Sequence, residues 1–291
     1  MNRRKFLSVG VRLGSAAIAS PLLAAVSAHL QVPQTVLITG DTSKRANHKV
    51  RVFITGSTDG LGRAAADTLL AEGHDVVVHA RSHTRLSAVG DLIDRGAIAT
   101  IGDLSDSGQI RDLAGQVNEI GQMDAVIHNA GILSGSPLLM VNVVAPYLLT
   151  ALIRRPRRLI YLSSSMHTGG STRLEGIDWS GRTAAASYSD SKLFVTTLAA
   201  AVARRWPEVF SNAVDPGWVP TKMGGSGAPD DLRLGHLTQE WLAVSNDPAA
   251  LTSGGYWHHQ QRLSPHPAVN DPRFQDRLLA ALARAAGATL P

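Results

Sequence analysis

Apolar and polar positions alternate in blocks along most of the chain. Short apolar runs such as VFIT (52–55), VVV (76–78) and LIYL (159–162) are typical of strands buried on both faces of a parallel sheet. Between them lie longer segments whose apolar residues recur every three or four positions, which predicts amphipathic helices. Repeated strand–helix units predict an α/β fold, namely one doubly wound, Rossmann-type parallel sheet with helices on both faces and right-handed crossovers.

The same pattern gives approximate bounds for the elements. After a first strand that starts at 52, the predicted strands cover 75–81, 97–104, 123–131, 157–165 and 209–217. The predicted helices cover 63–73, 107–121, 138–153, 188–206 and 272–287. The tail from Pro220 is rich in Gly and Pro, and we expect its part at 220–270 to form a substrate lid, because ligands bind beyond the carboxyl ends of parallel strands.

One apolar strand occurs twice, as VLITGDTS at 36–43 and as VFITGSTDGLG at 52–62. Only the second copy continues with further glycines and then a helix, the arrangement that lets a phosphate approach the backbone and a helix N-terminus. We therefore predict that the second copy binds the cofactor and that the first is a leader strand or a lid over the sheet edge. The predicted cofactor loop comprises Gly56, Ser57, Thr58, Asp59, Gly60, Leu61 and Gly62.

The end of the second strand indicates which dinucleotide binds. In this fold an acidic residue at that point binds the ribose 2′-hydroxyl of NAD, whereas an arginine accommodates the 2′-phosphate of NADP. Positions 79–82 are His-Ala-Arg-Ser, without an acid. Arg81 therefore favours NADP over NAD.

Composition narrows the function classes. The chain has 291 residues, a net charge of +5 and no cysteine, which excludes disulfides and thiolate nucleophiles. Four of the net positive charges lie within residues 1–28, and no basic stripe follows a helix face, so nucleic-acid binding is not expected. Histidines at 258, 259 and 266 lack the spacing of a metal site, and no metal is predicted.

The first 28 residues resemble an export signal. Arg3 and Arg4 precede an apolar stretch, and small residues at 26 and 28 suit cleavage after Ala28. We expect residues 1–28 to be a twin-arginine-like signal or an anchor, 29–48 a leader, and 49–291 the cofactor-binding domain. The protein is then periplasmic or exported, or cytoplasmic if the N-terminus is not a working signal.

Tyr188 and Lys192 are four residues apart in a predicted helix, so their side chains share one face. A nearby ammonium favours the phenolate and lowers the pKa of a tyrosine. Such a tyrosine serves as a general acid or base nearer neutral pH.

Taken together, these motifs resemble the short-chain dehydrogenase/reductase family, in its retinol-dehydrogenase-like and protochlorophyllide-reductase-like subgroup. The resemblance covers roughly residues 49–260 and implies strand order 3-2-1-4-5-6-7 and NAD(P)-dependent interconversion of an alcohol and a carbonyl. The matches are Thr55-Gly56-x-x-x-Gly60-x-Gly62, Asp103-Leu104, Asn129-Ala130-Gly131, Asn142, Ser164, Tyr188-x-x-x-Lys192 and Pro216-Gly217-Trp218-Val219-Pro220-Thr221.

The resemblance implies a role for each position. Tyr188 exchanges the proton, Lys192 lowers its pKa and binds the nicotinamide ribose, Ser164 polarises the substrate oxygen, and Asn142 holds a relay water. Ser164 is preferred to Ser163 because the family's serine is the second after the strand. The remaining matches are expected at the cofactor: Asp103, Leu104, Asn129, Ala130 and Gly131 near the adenosine, and Pro216, Gly217, Val219 and Thr221 near the carboxamide.

Two spacings depart from the family, and alternatives stay open. The gap from Asn129 to Asn142 is short, which leaves the face of any homo-oligomer in doubt, and the gap from Ser164 to Tyr188 is long.

The partner expected from the resemblance is a small carbonyl or alcohol substrate. The main alternative is a non-catalytic NADP-binding sensor. A serine hydrolase using Ser164 and His167 lacks a Gly-x-Ser-x-Gly elbow, and an epimerase or dehydratase lacks its large C-terminal domain.

Overall fold

The structure, a computed structural model, describes residues 49–183 and 186–291. The predicted signal or anchor at 1–28, the leader at 29–48 and the first strand copy at 36–43 lie outside the described residues. Among the helices of the described ranges, none is both long and apolar enough to cross a membrane.

Strands and helices alternate from the start of the described chain. The strands are β1 (Arg51–Ile54), β2 (Asp75–Ala80), β3 (Ile98–Ile101), β4 (Ala125–His128), β5 (Arg158–Leu162), β6 (Phe210–Asp215), β7 (Tyr256–His258) and β8 (Gln261–Leu263). The helices are α1 (Gly60–Ala71), α2 (Gly90–Asp94), α3 (Ser107–Ile120), α4 (Ala145–Leu152), α5 (Tyr188–Arg205), α6 (Leu232–Val244) and α7 (Pro272–Ala286).

All eight strands form one sheet in the order β3-β2-β1-β4-β5-β6-β7-β8. The first seven are parallel and stand in the expected order, so the predicted fold class is confirmed. The difference is β8, an antiparallel edge strand paired with β7 through a tight turn. Residues His259 and Gln260 of that turn both have positive φ, as a two-residue hairpin turn of type I′ requires.

The sheet carries an apolar layer on each face because successive side chains of a strand point to opposite sides. Val52 and Ile54 pack with the buried faces of α1 and α6, whereas Phe53 packs on the other side with α3, α4, α5 and α7. The central strands are therefore buried on both faces. Their carboxyl ends stay open to form a site.

Two regions differ from their predicted form. The segment at 220–270, expected as a lid, contains α6 and β7, which pack into the domain, so only 220–231 remains an irregular loop beside the site. The predicted helix at 138–153 begins with a π turn, Met140–Val144, before α4. Extra residues in such a turn re-aim the side chains it carries, and one of them is Asn142.

Candidate active site

A cleft of about 400 Å³ opens at the carboxyl ends of β1 and β4, where the strand order reverses direction. Open parallel sheets bind ligands at this point. The cleft is lined from the loop after β1, the end of β2, the segments after β3 and β4, the end of β5, the start of α5 and the loop after β6. Its lining includes Gly56, Thr58, Asp59, Gly60, Leu61, Arg81, Asp103, Leu104, Asn129, Ala130, Gly131, Tyr188, Lys192, Pro216 and Thr221.

The loop after β1 is fixed against the segment after β4. The Thr55 hydroxyl accepts hydrogen bonds from the backbone N–H groups of Asn129 and Ala130, each at 3.0 Å, and the Asn129 amide donates to the Thr55 carbonyl at 3.0 Å. Gly56 has φ +68°, and a Cβ there would lie 2.9 Å from the Ala130 Cα. Only glycine fits this position.

The N-terminus of α1 faces the cleft. Asp59 caps the helix by accepting the Gly60 N–H at 2.8 Å, and Gly60 and Leu61 line the cleft. A helix N-terminus leaves backbone N–H groups without helical partners and binds anions through them. A dinucleotide diphosphate needs backbone that no side chain covers and N–H groups that are free to donate. The glycine loop and the first turn of α1 provide both, so they fit such a cofactor.

The end of β2 closes the other side of the loop. His79 is buried, accepts the Gly56 N–H at its Nδ1 (3.0 Å) and donates from Nε2 to the Gly102 carbonyl (2.7 Å). Burial lowers the pKa of His79, so it holds this pattern as a neutral imidazole. Arg81 is exposed at the cleft wall, and within the described chain no ion-pair partner faces it.

Helix α5 brings the predicted tyrosine and lysine together. Ser187 caps the helix in a reciprocal box with Asp190, so Tyr188 is its first residue. The Lys192 Nζ lies 5.4 Å from the centre of the Tyr188 ring and donates to the Leu162 carbonyl at 2.7 Å. The predicted shared face is present.

The protonation of the pair differs from the expectation. Burial raises the pKa of Tyr188 to about 12, while the hydrogen bond with the Ser164 side chain lowers it and the Asp215 charge raises it. Burial lowers the pKa of Lys192 to about 8, opposed by Asp215. Desolvation is the largest of these effects on the tyrosine, so its pKa is raised and not lowered. Tyr188 is therefore a protonated phenol at neutral pH, ready to donate.

The choice between the neighbouring serines follows from their partners. Ser163 is buried and shares a 2.5 Å hydrogen bond with Thr196, whereas Ser164 contacts the Tyr188 side chain. His167 cannot serve as a base for Ser164, because its Nδ1 bonds the Ser164 carbonyl at 2.7 Å and its Nε2 accepts the His266 N–H at 3.0 Å. This geometry argues against a serine hydrolase.

Asn142 joins the segment after β4 to α5. Its Oδ1 accepts the Ile132 N–H at 2.8 Å, and its Nδ2 donates to the Ile132 carbonyl at 2.9 Å and to Ser191 at 3.0 Å. Ser191 in turn donates to the Tyr188 carbonyl at 2.7 Å. The side chain thus fixes the position of α5, and its expected role in holding a relay water stays a prediction.

Comparison with known proteins agrees with this geometry. The model of the family described as short chain dehydrogenase matches residues 50–147. An uncharacterized oxidoreductase of Emericella nidulans is 37% identical over 83% of this chain and 99% of its own length. A short-chain dehydrogenase of Penicillium rubens, chyC, is 36% identical over 83% of this chain and 99% of its own.

The chain belongs to the short-chain dehydrogenase/reductase family. Human retinol dehydrogenase 13, 26% identical over 82% of this chain and 85% of its own, is among the relatives. A solved blue fluorescent protein from a metagenomic library, in complex with NADPH, shares the fold with TM-score 0.60 and 22% identity, covering 74% of this chain and 97% of that one. The protein is therefore an oxidoreductase of alcohol–carbonyl pairs that binds a nicotinamide cofactor.

Not every residue that the family pattern singles out reaches the cleft. The Ser57 hydroxyl joins β1 to β2 by bonding the Ile54 carbonyl and the His79 N–H. A Cβ on Gly62 would lie 2.3 Å from the Asn129 amide, so this glycine allows α1 to approach the sheet. Gly217 and Val219 also lie outside the lining and shape the loop beyond β6. The predicted catalytic residues Ser164 and Asn142 lie outside it too, next to Tyr188 and Ser191 respectively.

Sequence reasoning missed several lining residues. They are His79, Ser105, Ile132, Pro137, Val141, Leu162, Ser163, Lys222 and Met223. The apolar ones carry no chemical signal in the sequence, and only their position after β4 or next to Thr221 could have suggested them. His258 and His259 stack on each other at 3.8 Å between ring centres, and within the described ranges no group of three or more candidate ligands could hold a metal.

Proposed function

We propose that this short-chain dehydrogenase/reductase reduces an uncharged, largely apolar ketone or aldehyde to the alcohol with NADPH. The observation that carries the proposal is geometric: the half-buried Tyr188 phenol, a proton donor at neutral pH, has the Ser164 hydroxyl and the buried Lys192 ammonium beside it. A group in this state suits proton donation, the half-reaction that carbonyl reduction requires.

The protein's own residues act on the carbonyl oxygen. A bound reduced nicotinamide would supply the hydride to the carbonyl carbon. Ser164 donates a hydrogen bond to the oxygen as negative charge develops, and the Tyr188 hydroxyl transfers its proton to it. The Lys192 ammonium then stabilises the phenolate left behind, and its pKa of about 8 keeps it charged at neutral pH.

The proposed preference for NADPH rests on the charges at the end of β2. Arg81 lines the cleft with no competing ion pair within the part of the chain that the structure describes. A second arginine, Arg85, bonds the Thr58 hydroxyl at 3.5 Å on the same side of the loop. Arg81 and Arg85 supply two guanidinium groups, and positions 79–82 contain no acid. This arrangement suits the 2′-phosphate of NADPH and not the free ribose diol of NADH.

The substrate side of the cleft supports an apolar carbonyl compound. Beyond Gly131 the wall consists of Ile132, Pro137, Val141 and Met223. The charged lining residues are Asp59, Arg81, Asp103, Lys192 and Lys222, which lie at the cofactor loops or in the catalytic pair. A substrate carboxylate or phosphate placed against Ile132, Pro137 and Val141 would lose its hydration without compensation from these side chains. The name of the human relative, a retinol dehydrogenase, is consistent with such a substrate.

The catalytic part is tested by Tyr188→Phe, with Tyr147→Phe as the matched control. Tyr147 is a buried tyrosine of α4 whose hydroxyl donates to the Ala288 carbonyl. With a panel of apolar ketones, the first variant should lose turnover while NADPH binding by calorimetry is unchanged, and the control should keep both. Binding of NADPH without turnover of any ketone by the unmodified protein would instead favour the sensor.

The cofactor part is tested by Arg81→Ala. Removing the guanidinium should raise the Kd of NADPH by about tenfold or more and leave that of NADH nearly unchanged, because only NADPH carries the 2′-phosphate. Equal loss for both cofactors would refute the assignment.

A further inference from the structure

A lysine from the loop after β6 reaches across to the cofactor loop. The Lys222 Nζ lies 2.5 Å from an Asp59 carboxylate oxygen, and both residues line the cleft. The Lys222 side chain is otherwise 79% exposed, and Arg85 stands 3.9 Å from the same carboxylate oxygen. No motif of the family pattern drew attention to this lysine.

The backbone brings the two loops into contact at the same place. A Cβ on Gly60 would lie 3.4 Å from the Thr221 side chain, so the segment that carries Lys222 already rests against the first turn of α1. Asp59 uses its other oxygen to cap the Gly60 N–H at 2.8 Å. The ammonium is therefore held at the rim of the surface that fits the diphosphate.

The acid at position 59 would by itself oppose an anion there. A carboxylate within the diphosphate-binding loop repels the two phosphate charges, although the 44% exposure of the Asp59 side chain lets solvent screen part of this repulsion. The Lys222 ion pair lowers the pKa of Asp59 and offsets its charge. Asp59, Lys222 and Arg85 together form the rim of the cleft, which therefore carries one more positive than negative charge.

We propose that Lys222 is a cofactor-binding residue whose ammonium, held beside the cofactor loop by Asp59, bonds the diphosphate. The proposal depends on the nicotinamide-cofactor site and not on the direction of the reaction or on the choice between NADPH and NADH. Asp59 positions the ammonium before the cofactor arrives.

The test measures binding of NADPH and of NADH by calorimetry for Lys222→Met. Lys49→Met is the matched control, because Lys49 also forms a surface ion pair, with Asp75 at 2.7 Å, but lies at the start of β1 outside the cleft lining. Both cofactors carry the diphosphate, so Lys222→Met should raise both Kd values by about fivefold, the effect of a charge-assisted bond discounted for exposure. The loss should shrink at high salt.

A second pair of variants separates contact from charge neutralisation. Asp59→Asn keeps a helix-capping side chain but removes both the repulsion and the ion pair that positions the ammonium, so it serves as the background for the double variant and not as a neutral control. Adding Lys222→Met to it should again raise both Kd values about fivefold. Loss for NADPH alone would move Lys222 to the 2′-phosphate, no loss would leave it a surface ion pair, and a double variant equal to Asp59→Asn would make it a neutralising partner only. Each of these results overturns the proposal, and none depends on turnover.

Discussion

Replacing Lys192 with methionine should remove activity and change the free energy of unfolding in a pH-dependent way, more favourably at pH 7 than at pH 9.5. Lys192 is 5% exposed, and burial lowers its pKa from 10.5 to about 8. A base whose pKa is depressed by folding binds protons more weakly in the native state than in the unfolded chain. Its charge therefore costs stability below the native pKa, and the cost fades as the pH rises toward 10.5.

The size of the effect follows from the shift. At pH 7 both states carry the proton, so the cost is about 3 kcal/mol. At pH 9.5 the native lysine is mostly neutral, and the cost falls to about 1 kcal/mol. Methionine removes the cost at either pH but leaves the Leu162 carbonyl without its 2.7 Å donor, a loss of about 1–3 kcal/mol that does not depend on pH.

The assay is urea denaturation of both proteins at pH 7 and at pH 9.5. The free energy of unfolding of Lys192→Met, minus that of the unmodified protein, should be about 2 kcal/mol larger at pH 7 than at pH 9.5. Subtracting the unmodified protein at each pH cancels the titration of the other groups. Comparing the two pH values then cancels the loss of the Leu162 hydrogen bond, which does not depend on pH. A difference that stays constant with pH would refute a buried, titrating ammonium. Activity of the unmodified enzyme should also decline as pH rises through about 8, since the ammonium that stabilises the phenolate is lost.

Two further substitutions have internal controls. Gly62→Ala places a Cβ 2.3 Å from the Asn129 amide and should lower the free energy of unfolding by about 1–3 kcal/mol. Gly115→Ala, in α3 with no atom within 4 Å, should raise it by about 0.5–1 kcal/mol; similar effects of the two would contradict this view. Ser164→Ala should reduce kcat about 100-fold with normal NADPH binding. Ser163→Ala should keep kcat and lower the free energy of unfolding by about 1 kcal/mol, because it removes the hydrogen bond with Thr196. A larger loss of kcat in Ser163→Ala than in Ser164→Ala would exchange the roles of the two serines.

The features that the sequence predicted well are local ones. Runs such as VFIT mark buried strands because both of their faces are apolar, and β1 does start within one residue of its predicted position. The glycines after the second strand copy need no partner to be recognised, since their spacing reflects the backbone approach of a phosphate. The Tyr188–Lys192 face follows from helix geometry alone.

The features that escaped prediction depend on distant contacts. Helix α6 lies between Gly- and Pro-rich stretches, and its buried face is defined only by packing on α1 and the sheet. Whether Tyr188 is easier or harder to ionise depends on how deeply the fold buries it. Lys222 reaches Asp59 only because the 162 residues of intervening chain return to the first turn of α1.

The two spacings that depart from the family compensate for each other in the structure. The long segment between Ser164 and Tyr188 packs on the short one between Asn129 and Asn142: a Cβ on Gly181 would lie 3.1 Å from that of Met140. Pro137, on the same short segment, lines the cleft and lies 3.3 Å from the Gly181 Cβ position. The insertion therefore supports the apolar wall from behind. Since a packed wall transmits changes in volume, substitutions in the insertion should alter substrate preference without touching the catalytic residues.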